Sequence, residues 1–295
     1  MKKKTTLLIM AAGMGSRFGS LKQITPLGPC QKTLLHYTIH DAVHAGFDKI
    51  VFVIRESFAK EFKEFVGQYA ESLVETAYCY QSMDKLPGNM PPIEREKPWG
   101  TAHAIWSAKE LIQEPFAAIN ADDFYGKDAF VQAHEFLVNE ADDRKFGLVG
   151  YRLVATLSEN GTVSRGICEA DAEGNLTSVT ECTKIGTTAD GSIMDFESEK
   201  RLQAEDLVSM NFWTFTPQVF AEIEKQFVEF YPANKDNLKS EFYIPKVVDC
   251  MIKNQKAHVK VLKTDAQWFG VTYKEDTPIV NKALAAFHEA GQYSF

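Results

Sequence analysis

The apolar positions of this chain fall into two kinds of run. Leu7–Ala12 is continuously apolar, and so, after its first residue, is the KIVFVI stretch at 49–54. Runs without alternation predict strands buried on both faces. The first of them stops at glycines, which predicts a loop directly after the strand. Thr33–Ala45 and Ala59–Val66 instead repeat their apolar residues at helical spacing, the former closing at Gly46. Thr76–Gln81 predicts a third strand, followed by an irregular, proline-rich segment, Leu86–Pro98. A helix from Thr101 to about Ile112, a short strand Phe116–Asn120 and a helix Lys127–Asn139 complete the first half. Strand and helix alternate, so the expected class is α/β, with a mainly parallel sheet flanked by helices on both faces. Ligands bind such sheets beyond the carboxyl ends of the strands. The glycine loop after Ala12 and the pair Asp122-Asp123 after Asn120 both stand at such ends.

The second half changes character. Gly147–Val154, Thr162–Ala170 and Leu176–Thr183 predict strands, and Glu173-Gly174-Asn175 predicts that the last two form a hairpin. Ile185–Glu205 is polar and predicts an irregular excursion, before Leu207–Phe215 turns apolar again. Helices are expected over Pro217–Phe230 and Phe242–Asn254, a strand over His258–Leu262 and a closing helix over Thr277–Ala290. Without an internal repeat or a low-complexity linker, residues 1–295 are expected to form one unit with two lobes, 1–155 and a β-rich 156–295.

Composition narrows the partners. The chain has 295 residues, 45% hydrophobic and 24% charged, the profile of a soluble globular protein. Its formal net charge is -8 and no long Lys/Arg block follows the first four residues, which argues against sequence-independent nucleic-acid binding. An acidic protein that handles phosphates must use a few local cations, backbone amides and a metal. The five cysteines are scattered, with no C-x-x-C pair, which argues against a disulfide framework or structural zinc and fits a reducing cytosol. The apolar run near the start is short and meets a glycine turn with an arginine, so a buried strand explains it better than a signal peptide. No stretch approaches a membrane span, and a cytoplasmic protein without membrane contact is expected.

Gly13 and Gly15 let a backbone turn tightly and present N–H groups to an anion, with Ser16 and Arg17 adding a donor and a fixed positive charge. The spacing is not the dinucleotide fingerprint, whose third glycine would fall at Phe18, nor a P-loop, which needs a lysine that is absent here. Taken alone, the glycines fit a plain strand–loop connection.

Met10–Arg17 followed by Lys22-Gln23-Ile24-Thr25-Pro26 resembles the opening of the sugar-nucleotide pyrophosphorylases, a nucleotidyltransferase family that includes glucose-1-phosphate thymidylyltransferases and N-acetylglucosamine-1-phosphate uridylyltransferases. The resemblance implies a Rossmann-like fold of the nucleotide-diphospho-sugar transferase type, with an added β-rich lobe for the sugar. It implies Mg²⁺-dependent conversion of a nucleoside triphosphate, UTP or dTTP first, and a sugar-1-phosphate to a nucleotide sugar and pyrophosphate. Ala11, Ala12, Gly13, Met14, Gly15 and Ser16 would hold the nucleotide, Arg17 its β- and γ-phosphates, and Lys22 the α-phosphate or the incoming phosphate. Pro98–Ala104 resembles the segment that lies against the base, through Gly100 and Thr101. Five residues before Gly100, where uridylyltransferases often carry a base-reading Gln, stands Arg95, so the base is left open.

In Asn120–Gly126, which resembles the family's acidic turn with Ala121 in place of glycine, Asp122 would be the catalytic Mg²⁺ ligand and Asp123 would line the nucleotide site. In the late segment Gln267–Tyr273, Gly270 stands where the family carries its second metal-binding acid, and Asp265 is the substitute within reach in sequence. Gly166, Glu181, Lys184 and Asn211 correspond to sugar-phosphate contacts, and Asn211 is also a polar residue in an apolar run that needs a partner. Alternative explanations for each are structural: a helix cap at Thr101, hairpin surface charges at Glu181 and Lys184, a bulge or core hydrogen bond at Asn211. His36, His40 and His44 share a helix face and read as structural. Family members are often homo-oligomers. Two other functions fit the same residues: a cytidylyltransferase acting on phosphocholine or an alditol phosphate, with Trp99, Tyr125, Trp213 and Trp268 available for a cation cage, and a catalytically silent nucleotide-binding regulator, suggested by Gly270.

Overall fold

A computed structural model describes residues 3–13, 26–95, 97–158, 161–270 and 277–295. Met14, Gly15, Ser16, Arg17 and Lys22 lie outside the described residues. Strand β1 (Thr6–Met10) is flanked by β2 (Lys49–Ile54) and β4 (Phe116–Asn120), with β3 (Glu75–Tyr80) beyond β2, all parallel. Between them run α1 (Leu34–Ala45), a helical stretch formed by α2 (Ala59–Phe62), a π-turn at Lys63–Gly67 and α3 (Gln68–Glu71), and α4 (Thr101–Trp106). After the two-residue strand β5 (Asp123–Phe124) come α5 (Lys127–Asn139), β6 (Lys145–Arg152), β7 (Val163–Ala170), β8 (Leu176–Thr187), β9 (Ile193–Asp195), β10 (Lys200–Leu202) and β11 (Leu207–Phe215). The chain closes with α6 (Gln218–Asn234), α7 (Ile244–Lys253), β12 (His258–Thr264), β13 (Phe269–Gly270) and α8 (Thr277–Glu289).

One 11-stranded mixed sheet runs β10-β9-β8-β7-β11-β4-β1-β2-β3, with β6 and β12 joined at β11. The expected parallel core is present as β3, β2, β1 and β4; β11 then reverses direction and begins an antiparallel wing. The unbroken apolar run of β1 has its reason here: Leu7 and Ile9 face a core with α1 and α5, while Leu8 faces a second core with α4, α6 and α7. Each such fully buried aliphatic side chain contributes about 1.5–3 kcal/mol. A third, smaller core gathers Leu27, Leu34, Tyr37, Phe124, Val280, Leu284 and Tyr293. Among the described residues no helix is long and apolar enough to cross a membrane.

Two expectations and one alternative explanation change. The segment Ile185–Glu205 is not irregular: β8 continues to Thr187 and two further short strands pair antiparallel beside it. Each turn is made by a side chain, Asp190 accepting from the Ser192 N–H (3.1 Å) and Asp195 from the Ser198 hydroxyl (2.6 Å). The helix expected to reach Ile112 is α-helical only to Trp106, after which Ala108, Lys109 and Leu111 bond three residues back rather than four. Ser107 returns its hydroxyl to the His103 carbonyl at 2.8 Å, a bond that competes with the helical ladder. Finally, Thr101 does not cap α4, whose N-cap is Gly100; the Thr101 hydroxyl accepts instead from the Ile244 N–H at the start of α7, at 3.0 Å.

Candidate nucleotide and sugar-phosphate site

The parallel register brings the two expected ligand segments together. Met10 pairs with Asn120, and chain-end bonds extend the match: Ala11 N–H to Val53 O (2.7 Å) and Ala121 N–H to Met10 O (3.2 Å). Ala11, Ala12 and Gly13 therefore leave the sheet beside the turn that carries Asp122 and Asp123. Among the described residues nothing lies within 4 Å of where a Cβ on Gly13 would stand. At the end of β2, Arg55 donates Nε to the Ala12 carbonyl at 2.8 Å and so fixes the start of the glycine loop. Burial lowers its pKa.

On the other side of that loop, Gln81 follows β3. Its amide nitrogen donates to the Gly100 carbonyl (3.1 Å) and meets His103 Nδ1 (3.3 Å). His103 is buried, and burial pushes its pKa down to about 4, so the ring is neutral. Its Nε2 faces the Lys85 carbonyl at 2.9 Å and must carry the proton, which leaves Nδ1 to accept from Gln81. Both amide hydrogens of Gln81 are thereby engaged in protein contacts, and the amide oxygen remains as an acceptor. Sequence spacing pointed to Arg95 instead. Arg95 is buried, donates to the Lys97 and Ser240 carbonyls (2.6 and 2.5 Å) and stacks 3.6 Å from the Trp99 ring centroid, so it is a packing residue. The intervening residues 82–99 displaced the spacing. A polar side chain just beyond a parallel strand was the available signal.

The acidic turn is held by a buried polar network. Asp123 is buried; its Oδ2 accepts from Asn120 Nδ2 (3.0 Å) and lies 3.2 Å from the Tyr125 hydroxyl. That hydroxyl also accepts from the Asn120 N–H and faces the Met210 carbonyl, each at 3.1 Å. Asn120 in turn accepts from Asn211 Nδ2 (2.7 Å), and the Asn211 oxygen accepts from Trp213 Nε1 (2.9 Å). Asn211 sits with φ 60° in a bulge of β11 between Ser209 and Trp213, a conformation asparagine tolerates. The partner that a polar residue in this apolar run demanded is thus supplied by the protein, and one amide hydrogen and one lone pair remain for anything else. Tyr125→Phe leaves the Asn120 N–H and the Met210 carbonyl buried without this hydroxyl. It is expected to lower unfolding free energy by about 1–3 kcal/mol in urea titration; a change under about 0.5 kcal/mol would contradict the network.

The sugar-side residues cluster at β7 and β8. Gly166 pairs with Glu181 and Ser209, and a Cβ on Gly166 would stand 3.6 Å from Glu181 Oε2. Between Val163 and Arg165 the register slips, three steps of β8 answering two of β7, which places an extra residue at 183–184. Thr183 and Lys184 are consequently both exposed, as Glu181 is, while Cys182 and Ile185 stay buried. Arg165, which sequence reading passed over, is buried with its guanidinium 4.7 Å from the Trp268 centroid and its Nε on the Thr156 hydroxyl at 3.1 Å. Burial pulls its pKa down to about 10, and the charges of Asp123 and Glu181 oppose the fall. Glu181 shows the mirror effect: although its side chain reaches solvent, partial desolvation of the carboxyl raises its pKa and Arg165 lowers it. Arg165 is therefore a fixed cation between the acidic turn and the hairpin.

Asp265, the expected substitute for the acid at Gly270, follows β12. Its side chain is 94% exposed and pairs with Arg152 at 3.7 Å. Among the described residues no three His, Cys, Asp or Glu side chains gather as they would around a metal, so Asp122, Asp123 and Asp265 form no such group. Gly270 does reach the site: β13 pairs with β5 and sets Gly270 opposite Asp123. The aromatic cage for a choline cation has little to draw on, since Trp99, Tyr125 and Trp213 are fully buried in the cores and Trp268 lies under Arg165. His36 is buried, with Nδ1 2.9 Å from the Thr33 hydroxyl at the head of α1, in keeping with a structural role.

Known proteins share this sequence pattern and this fold. A UTP–glucose-1-phosphate uridylyltransferase of Bacillus subtilis (strain 168) is 25% identical over 238 residues, 77% of this chain and 75% of that one. A UDP-glucose pyrophosphorylase solved with UDP-glucose superposes with a TM-score of 0.59 at 16% identity, covering 97% of this chain and 99% of the other. The inositol-1-phosphate CTP transferase of T. maritima superposes with a TM-score of 0.64 at 13% identity, covering 98% of each. The family model for nucleotidyl transferases matches residues 6–277, nearly the whole chain, and the chain belongs to that family.

Proposed function

We propose that this enzyme transfers a uridylyl group from UTP to a sugar-1-phosphate. A phosphate oxygen of the sugar-1-phosphate forms a bond to the α-phosphorus as the bond to the β-phosphate oxygen breaks, and pyrophosphate leaves. Such chemistry asks the protein mainly for alignment and neutralisation of charge. The glycine loop from Ala11 to Ser16 would receive the triphosphate, with Arg17 on the β- and γ-phosphates and Lys22 at the α-phosphate. Glu181, Lys184 and the backbone at Gly166 would take the sugar phosphate, with Asn211 ordering the bulge beside them.

Mg²⁺ fits the donors present in a limited way. It usually keeps several waters and binds one or two carboxylates together with substrate phosphates. Asp122, two residues beyond the end of β4, would hold the ion, and Asp123 is bonded to Asn120. When bound, the ion would neutralise phosphate charge. Asp123 is bonded to Asn120 in the turn, and Arg165 to Thr156 beside the hairpin.

The observation that favours uracil is Gln81. With both amide hydrogens engaged by Gly100 and His103, it offers only an acceptor, which suits the N3–H of uracil or thymine, whereas cytosine has no N3–H and could meet it only through its 4-amino group. The test is pyrophosphate release from UTP, dTTP and CTP against a panel of sugar-1-phosphates and inositol-1-phosphate. UTP or dTTP with a hexose-1-phosphate is expected to give the highest kcat/KM. Gln81→Ala is expected to erode the preference over CTP by about tenfold, the discrimination carried by one lost hydrogen bond. A wild-type preference for CTP would sink the uracil reading.

A further inference from the structure

Helix α1 carries His40 and His44 one turn apart, so the two side chains share a face. Their rings are stacked, with centroids 3.9 Å apart and planes at 26°. His44 is exposed in the last turn of the helix, and the His40 side chain is 11% exposed. His44 Nδ1 lies 2.7 Å from the His40 carbonyl, which can only accept, so Nδ1 carries the proton. His40 Nδ1 faces Oδ1 of buried Asp41 at 3.4 Å. The other Asp41 oxygen accepts from the Tyr293 hydroxyl at 2.8 Å, which fixes the carboxyl group. Both Nδ1 atoms are thus turned to oxygens of the protein. Among the described residues neither Nε2 has a hydrogen-bond partner, and His40 Nε2 is not closed off from solvent. His36, one turn earlier, differs: it is buried, with Nδ1 on the Thr33 hydroxyl and its ring 4.9 Å from that of Tyr69.

We infer that His40 and His44 form a binding site for a divalent transition-metal ion of the zinc class, through their Nε2 atoms. Imidazole nitrogen suits Zn²⁺, Cu²⁺ and Ni²⁺, whereas Mg²⁺ takes oxygen ligands, so this site is distinct from the one proposed at Asp122. Two histidines four positions apart on one helix face are a recurrent pair of zinc ligands. A modest turn of the exposed His44 ring opens the stack and admits an ion at the usual Zn–N distance of about 2.0–2.1 Å. The surroundings match the chemistry. Metal-binding histidines donate their other ring N–H to a carboxylate or a backbone carbonyl, which fixes tautomer and ring orientation. His40 has the carboxylate of Asp41, and His44 has a carbonyl. The Tyr293 and Phe295 rings stand across that of His40, at 5.1 and 5.7 Å between centroids, and form an apolar wall. No third His, Cys, Asp or Glu side chain joins the pair among the described residues, so water completes the coordination. The scattered cysteines argued against a thiolate zinc site, and these ligands are imidazoles. The ion braces the last turn of α1 and, through Asp41, the Tyr293 segment docked on it.

The inference stands apart from the proposed uridylyl transfer and is tested by binding alone. Zn²⁺ is titrated calorimetrically into the full chain after treatment with a chelator, in the presence of excess Mg²⁺. The wild type is expected to bind Zn²⁺ and to melt at a higher temperature with it, because the folded helix holds the two imidazoles together. His44→Ala places the best helix former at an exposed position and should fold. It is expected to weaken Zn²⁺ affinity at least about tenfold, since loss of even an outer-shell partner costs 10–100-fold, and to abolish the rise in melting temperature. His40→Ala repeats the test from the other ring. Cys30, whose sulfur lies 3.8 Å from His288 Nδ1, supplies the rival soft pair, and Cys30→Ser is expected to keep Zn²⁺ affinity within about twofold. A wild type that binds no Zn²⁺, wild-type affinity in His44→Ala, or loss of binding in Cys30→Ser overturns the site.

Discussion

Gly100→Ala is expected to destabilise the protein by about 3 kcal/mol or more, from two costs that add. Gly100 has φ 97° and ψ -174°, a region essentially restricted to glycine, and entering it costs another residue about 1–3 kcal/mol. A Cβ there would also stand 2.8, 2.9 and 3.1 Å from the oxygen, nitrogen and carbonyl carbon of Phe242. Those are backbone atoms, and they cannot swing aside. They are held on both sides of the glycine, the Phe242 N–H by the Trp99 carbonyl (2.6 Å) and the Phe242 carbonyl by the Ala102 N–H (3.0 Å). Alanine must therefore push the head of α4 off the residues before α7, and carry away the carbonyl that Gln81 uses. Urea unfolding measures the first effect and KM for UTP the second. A loss below about 1 kcal/mol would mean that the chain relieves the contact and that Gly100 is not fixed as described.

The same residue shows how far the sequence could be read. Gly100 and Thr101 were recognisable as a glycine before a helix, and the expected reason was close approach to a base. The close approach in the structure is to Phe242, 142 positions along the chain, a contact that no local pattern encodes. Strands β1, β2 and β4 were legible because burial on both faces leaves a nearly unbroken apolar run, whereas β3 ends the main strand order and is only partly buried. The meander at 185–205 was not: its last two strands are three residues each, and Ile193, Asp195 and Leu202 are too few buried positions to set a period. Asp122 and the glycine loop were legible as neighbours because parallel strands put their carboxyl ends together. Gln81 was missed for the opposite reason. Residues 82–99 separate it from Gly100, so counting back from the glycine reached Arg95, while the fold closes the gap and returns Gln81 to the Gly100 carbonyl. Arg165 gave no sequence signal at all, since its importance lies in charges from β5 and β8 that meet only after folding.

Restoring the family's acid with Gly270→Asp is expected to reduce turnover about 100-fold, not to raise it, because displacing a site group by about 1 Å has an effect of that size. A Cβ on Gly270 would lie 2.8 Å from Asp123 Oδ1 and 3.0 and 3.1 Å from the Trp268 ring. Asp123 is a short side chain already fixed through its other oxygen to Asn120 at 3.0 Å, and Trp268 is stacked under Arg165. Neither can move without disturbing the turn that bears Asp122 or the cation that balances it. The new carboxylate adds repulsion: two like charges about 4 Å apart cost about 4 kcal/mol at the effective dielectric of a protein surface. Gly270→Ala separates the two effects, since it introduces the contact without the charge, and should lower activity less. Glycine at 270 is thus the residue that lets Asp123 occupy its bonded position, and the acid of the family pattern and the Asn120–Asp123 network exclude each other. Steady-state assays of both variants decide the matter: a gain in kcat for Gly270→Asp over wild type would show that Asp123 yields and that the site is merely one acid short.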